Sequence, residues 1–163
     1  MATRGWAHGG YDAPMNALTQ RGKYALKALA HLARRDATAG DRPVLGRAVA
    51  DAEGIPPKFL EAILADLRKH GVLQARKGRG GGYWLTAAPE EVMVGAVLRI
   101  FEGPFAPVAC ASKRYYAPCD DCTDEADCEV RRVMLDVKLA MLDVLDRTSL
   151  ADLVARDGEP IRL

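Results

Sequence analysis

Between Leu45 and Thr86, two amphipathic helical patterns split by one glycine run directly into Lys77-Gly78-Arg79-Gly80-Gly81-Gly82, and few folds accommodate that order. The first pattern sets Leu45, Ala48, Val49 and Ala52 on one face. Gly54 ends it by taking the left-handed conformation that commonly closes a helix. Pro56 and Pro57 open the second pattern, because proline suits the first helical position. Phe59, Leu60, Ile63, Leu64 and Leu67 then form an apolar stripe at helical spacing, and Gly71 closes the helix. Val72–Arg76 and Tyr83–Thr86 pair as two strands around the glycine-rich tip. A helix pair with a tight glycine turn, followed at once by a basic hairpin, predicts a winged helix-turn-helix: a mostly α chain with a small β-hairpin wing.

The residue types in these elements suit DNA. Glycines let a backbone approach a phosphate closely, and Arg76, Lys77 and Arg79 put cations on a loop narrow enough for a minor groove. Gly80, Gly81 and Gly82 belong to the same expected contact. The second helix is expected to show Lys58, Glu61, Ala62 and Ala65 to the major groove, with Arg68, Lys69 and Arg76 at phosphates. Glu61 would accept from cytosine and reject other bases. A solvated hairpin whose glycines only satisfy turn geometry is the bland alternative. A nucleotide-binding loop is disfavoured, since no Lys-Ser/Thr follows and no helix opens there. Residues 1–83 carry 14 Lys and Arg against 7 Asp and Glu, a balance of +7, and residues 84–163 carry 9 against 15, a balance of −6. That asymmetry fits a polyanion partner for the first half, with chance segregation as the alternative.

Around this centre the chain divides into four parts. Residues 1–14 have no periodicity and read as a disordered leader, a cloning remnant or an upstream start, with Met15 as the functional beginning. Residues 15–102 form the expected DNA-binding domain: Thr19 caps a helix with Leu26, Leu29, Ala30, Leu32 and Ala33 as its stripe, broken at Ala37–Pro43, and Val94, Val97, Leu98 and Phe101 mark a later one. Residues 103–128 are a long loop holding every cysteine, and loops of that length are usually functional or disordered. In residues 129–163, Val130, Val133, Val137, Ala140 and Val144 repeat at heptad spacing, widened by Met134 and Met141. This predicts a long dimerisation helix, with packing on the chain's own core as the alternative. Thr148 or Ser149 caps a short final helix, Leu150–Ala155. His31 and His70 read as helix-end caps, and no catalytic constellation stands out, so the chain is not expected to be an enzyme. No apolar run is long enough to span a bilayer, which places the expected location in the cytoplasm, away from membranes.

Cys110, Cys119, Cys122 and Cys128 are spaced C-x8-C-x2-C-x5-C. Structural disulfides are not expected in a cytoplasmic protein of this size. Three readings stay open: thiolates holding an iron–sulfur cluster, a four-thiolate zinc site, and metal-free redox thiols.

Leu18-Thr19-Gln20-Arg21-Gly22-Lys23-Tyr24-Ala25, Leu60-Glu61, Leu67-Arg68-Lys69-His70-Gly71 and Arg79-Gly80-Gly81-Gly82-Tyr83 resemble the Rrf2 family of transcription regulators, over about Met15 to Ala155. The resemblance implies a homodimer on palindromic double-stranded DNA. In many members it implies a 2Fe–2S or 4Fe–4S cluster in the loop before the dimer helix. The family's cluster cysteines map onto Cys110, Cys122 and Cys128, leaving Cys119 as an additional thiol and first candidate for a fourth ligand. A histidine ligand that one branch carries is Arg131 here, and a partner-chain carboxylate used by another branch is Lys23. The resemblance further implies a repressor answering to iron, redox state or nitric oxide, and some members dock onto a protein partner.

Overall fold

The computed structural model describes residues 18–39, 43–113, 116–120, 122 and 124–156. The expected leader at 1–14, Gly40 and Asp41 of the expected helix break, and the tail at 157–163 lie outside the described residues. The elements run α1 (Gln20–Ala39), α2 (Gly46–Glu53), α3 (Pro57–Lys69), β1 (Leu73–Arg76), β2 (Gly82–Leu85), α4 (Val94–Glu102), a 3₁₀ turn (Ala109–Ala111), α5 (Glu129–Arg147) and α6 (Leu150–Ala155).

α1 is the central support, packing against α2, α3, α4, α6 and β2. Its start is fixed by Thr19, whose hydroxyl accepts from the Gly22 N–H at 3.2 Å and donates to Glu102 Oε1 at 2.7 Å. The end of α4 thereby helps to cap α1, satisfying donors that a helix N-terminus otherwise leaves open. Leu29 and Leu32 of α1 meet Val49, Leu60, Ile63, Leu64, Leu67, Leu73, Val97 and Leu150 in one fully buried cluster. Leu150 brings the far end of the chain into this core. Ser149 builds a capping box with Asp152, and the backbone pairs Val94–Thr148 and Leu150–Val92 tie α6 to the start of α4. The sequence partition groups α6 with the dimerisation segment, whereas its packing belongs to the N-terminal body.

Three sequence-based expectations change. On α2 the buried pair is Val49 and Ala50, while Leu45, Ala48 and Ala52 are exposed: a two-turn helix touches its neighbours along one edge only. Phe59 is half-exposed and meets Tyr24 edge-on at 5.7 Å. His31 lies within α1 rather than at its end, 3.2 Å from Glu53 Oε1, because α1 continues to Ala39. His70 does sit at the C-cap of α3, its Nδ1 2.9 Å from Asp66 O.

α5 contains no buried residue in 19. Val130, Val133, Val137 and Val144 are 44–65% exposed, Ala140 is exposed, and Met134 and Met141 are partly covered. Polar anchors hold the opposite side of this helix: Asp146 accepts from Arg99 of α4 at 2.6 Å, and Lys138 donates to Ala111 O at 2.6 Å. The Arg99 guanidinium holds the Asp146 carboxyl below the usual carboxylate range.

Candidate nucleic-acid interface and thiol loop

One side of α3 supplies Leu60, Ile63, Leu64 and Leu67 to the core, which fixes the opposite side outward. Lys58, Glu61, Ala62, Ala65, Arg68 and Lys69 all lie on that exposed side, so the four residues expected at the major groove and the two expected at phosphates share one face of the helix. Arg68 and Lys69 occupy the last turn, where cations also complement the helix dipole. The helix is tethered by Asp66, which accepts from Arg21 of α1 at 2.5 Å, and the Arg21 guanidinium in turn stands 5.7 Å from the Phe101 ring centroid.

β1 and β2 pair antiparallel with Leu73 opposite Leu85 and Arg76 opposite Gly82. Val44, just ahead of α2, bridges the open edge of β2: its N–H donates to Tyr83 O at 2.9 Å and its carbonyl accepts from Tyr83 N at 2.8 Å. Gly82 is buried against Val44 and Gly81 against Arg76 and Gly78 of the turn itself, so both build the turn and neither presents much surface to a groove. A Cβ on Gly82 would stand 2.5 Å from Val44 O, and one on Gly81 would collide with Arg76 O. Lys77, Arg79 and Gly80 remain exposed.

Arg76 is exposed as well, and its guanidinium donates to Gly80 O at 2.9 Å, which clamps the tip. Two variants separate contact from clamp. Arg79→Ala is expected to weaken operator binding and reduce the slope of log affinity against log salt by about 1. Arg76→Ala is expected to weaken binding with the slope nearly unchanged. Fluorescence anisotropy at several salt concentrations checks both, and an equal slope loss for Arg76→Ala would return it to the phosphate contacts.

In the loop, Cys110 is buried within the 3₁₀ turn, Cys119 is exposed, and Cys122 and Cys128 are partly covered. None of the four forms a disulfide. Cys119 and Cys122 share a turn in which the Cys122 N–H approaches Cys119 O at 3.4 Å, and Cys122 Sγ lies 3.7 Å from Asp124 O. Cys128 is the N-cap of α5, its Sγ accepting from the Arg131 N–H at 3.4 Å. Arg131, noted in the sequence only as standing where one branch carries a histidine ligand, has a bridging role that sequence reasoning missed. Its Nε donates to Cys110 O at 3.3 Å and lies 3.7 Å from Glu125 Oε2, joining the two ends of the loop. Glu125 accepts from the Tyr116 hydroxyl, and this bond raises the Tyr116 pKa above the usual phenol value. The only sequence signal for this hub is the long-armed cation one turn after Cys128. Among the described residues no three His, Cys, Asp or Glu side chains converge on one point. The donor set nevertheless fits a soft metal or iron–sulfur group in kind: four thiols outside any disulfide, one of them already accepting a backbone N–H.

A helix pair with an exposed polar second face, backed by a basic hairpin closed against the lead-in to the first helix, defines a winged helix-turn-helix protein. Residues 18–156 match the Rrf2 family model, described as an iron-dependent transcriptional regulator, and the chain belongs to the Rrf2 family. An rrf2-like HTH-type regulator of Rhodobacter capsulatus is 41% identical over 146 residues, covering 90% of this chain and 97% of that one. The HTH-type transcriptional repressor NsrR of Streptomyces coelicolor is 35% identical, covering 90% of this chain and 93% of its own. The structure of CymR, the global cysteine regulator of B. subtilis, superposes with a TM-score of 0.71 at 27% identity, covering 86% of this chain and 98% of that one. The chain is a DNA-binding transcription regulator and not an enzyme. Among the described residues no helix is long and apolar enough to cross a membrane.

Proposed function

We propose that this regulator is a homodimeric repressor whose hold on a palindromic operator is set by the Cys110–Cys128 loop, with an iron–sulfur cluster as the group that loop carries. The observation that carries this reading is the placement of α5. The helix starts on the Cys128 sulfur, ends at the Arg99–Asp146 pair beside the winged domain, and leaves its valine stripe uncovered in the protomer. A change at the cysteines therefore acts on the first turn of the helix that would join two protomers. The family's iron-dependent description and the repressor named among its relatives point the same way. Cys110, Cys122 and Cys128 would hold the group, with Cys119 as the fourth ligand. Bound there, it would supply reactivity toward oxygen and nitric oxide and dependence on iron supply. Residues 15–102 serve as the reading head, 103–128 as the sensor and 129–163 as the dimer segment, with α6 folded back onto the head.

Anaerobic purification followed by iron and sulfide analysis tests the proposal. Near-stoichiometric iron and sulfide with sulfur-to-iron absorption in wild type, lost in Cys110→Ser, Cys122→Ser and Cys128→Ser, is the expected result. Colourless protein with one bound zinc would replace the cluster by a structural site. A second reading, metal-free redox thiols, draws on the Arg131 N–H that donates to Cys128 Sγ, a bond that favours a thiolate there. It predicts colourless, metal-free protein whose operator affinity still changes on mild oxidation.

A further inference from the structure

Arg47 and Asp51 of α2 form an i,i+4 ion pair at 3.8 Å with side chains 89% and 69% exposed. Helix stability does not account for these charges. α2 has no acid in its first turn and no base in its last, so Arg47 stands at the positive end of the helix dipole and Asp51 near the negative end. Both placements oppose the dipole, and a base preceding an acid is the less favourable order for such a pair. Packing does not account for them either, since α2 buries only Val49 and Ala50.

Their position offers another explanation. Arg47 and Asp51 line one wall of a notch of about 510 Å³ whose other walls are Pro57, Leu60, Glu61 and Leu64 of α3 and Tyr83 of the wing. The notch thus opens beside Glu61, on the side of the molecule that carries the reading residues. Beyond the pair, the outward side of α2 shows only small Ala48 and Ala52, so a nucleic-acid strand can come close to the helix axis. In helix-turn-helix proteins the first helix of the pair crosses the sugar–phosphate backbone.

We propose that Arg47 contacts an operator phosphate, and that Asp51 holds and masks this guanidinium until DNA arrives. On binding, Arg47 exchanges the Asp51 carboxylate for a phosphate oxygen, favoured by the row of charges along the duplex and the counterions it releases. A contact of this kind carries no sequence information, so it sets affinity for any duplex and leaves operator preference to α3. The inference rests on the α3-and-wing interface and is independent of what the cysteine loop holds.

The test measures duplex affinity against salt for wild type, Arg47→Ala, Asp51→Asn and the double variant, with Arg79→Ala as a control for the wing. Arg47→Ala is expected to weaken operator and unrelated duplex alike, about three- to tenfold, and to lower the salt slope by about 1. Asp51→Asn is expected to tighten both about threefold, and this gain should shrink in the Arg47→Ala background. Melting temperatures should stay level or rise in both single variants, which a structural role for the pair would not allow. An unchanged salt slope in Arg47→Ala, with Arg79→Ala still lowering it, overturns the phosphate contact while leaving the DNA interface intact. A gain from Asp51→Asn that persists in full without Arg47 overturns the masking.

Discussion

Replacing Val133 and Val137 with glutamate is expected to yield a monomer that has lost nearly all operator affinity while melting close to wild type. Both valines are exposed in the protomer, so charging them removes no core contact, and surface changes of this kind usually move stability by no more than about 0.5 kcal/mol. In a helix–helix dimer the same positions become the seam, and four carboxylates would be drawn out of water without partners. That desolvation costs several kcal/mol per ion, ample to dissociate a short helical interface. Operator binding falls as a consequence. Two linked heads bind about 10²- to 10⁴-fold more tightly than one, and a monomer loses that gain without any change in its own contacts. Sedimentation equilibrium and anisotropy titration on a full palindrome and on a half-site measure the two effects separately. A variant that stays dimeric, or one whose full-site affinity is intact, would remove α5 as the joining element.

Much of the reading head was legible in the chain because its signals are local. Gly54 closes α2 at φ 64°, Pro57 opens α3, and Ser149 caps α6. Each of these is chosen by the conformation of a few adjacent residues, so pattern alone places it. The α3 stripe was legible for a related reason: a 13-residue helix spans enough turns for its buried and exposed sides to separate. What was missed depends on neighbours distant in sequence. The burial of Gly82 follows from the Val44–Tyr83 bridge, and nothing near residue 82 announces that a segment ahead of α2 will lie against it. Phe59 occupies an apolar position of the pattern, yet its partner is the Tyr24 edge at the rim of the core. The cysteines show the same division. Their clustering and spacing are plain in the sequence, but the link between Cys110 and Cys128 is made by the side chain and backbone of Arg131, a residue whose type suggests only a solvated surface.

Gly82→Ala is expected to lower both the stability of the wing and DNA binding, by far more than one added methyl would suggest. Gly82 has φ 150°, where side-chain-bearing residues are rarely found. Its missing Cβ would stand 2.5–2.9 Å from the O, C and N atoms of Val44. These are main-chain atoms in a paired bridge, so the clash cannot be relieved by turning a side chain. Either β2 moves off Val44 or the hairpin distorts. In the first case the two Val44–Tyr83 hydrogen bonds go; in the second the Arg76–Gly80 clamp goes. Strain and lost pairing together should cost at least about 2 kcal/mol, or roughly 4–8 °C in Tm for a chain of this size. Gly80→Ala is the matched control. Its φ is also positive, at 75°, but a Cβ there meets no atom within 4 Å, so only the backbone penalty of about 1 kcal/mol remains. Calorimetry on the two variants should therefore rank Gly82→Ala well below Gly80→Ala. Salt-dependent titration should show that Gly82→Ala loses the Arg79 contribution to the slope even though Arg79 itself is unchanged. If the two alanine variants melted together, the hairpin would not be held against Val44, and the wing would owe its position to the strands alone.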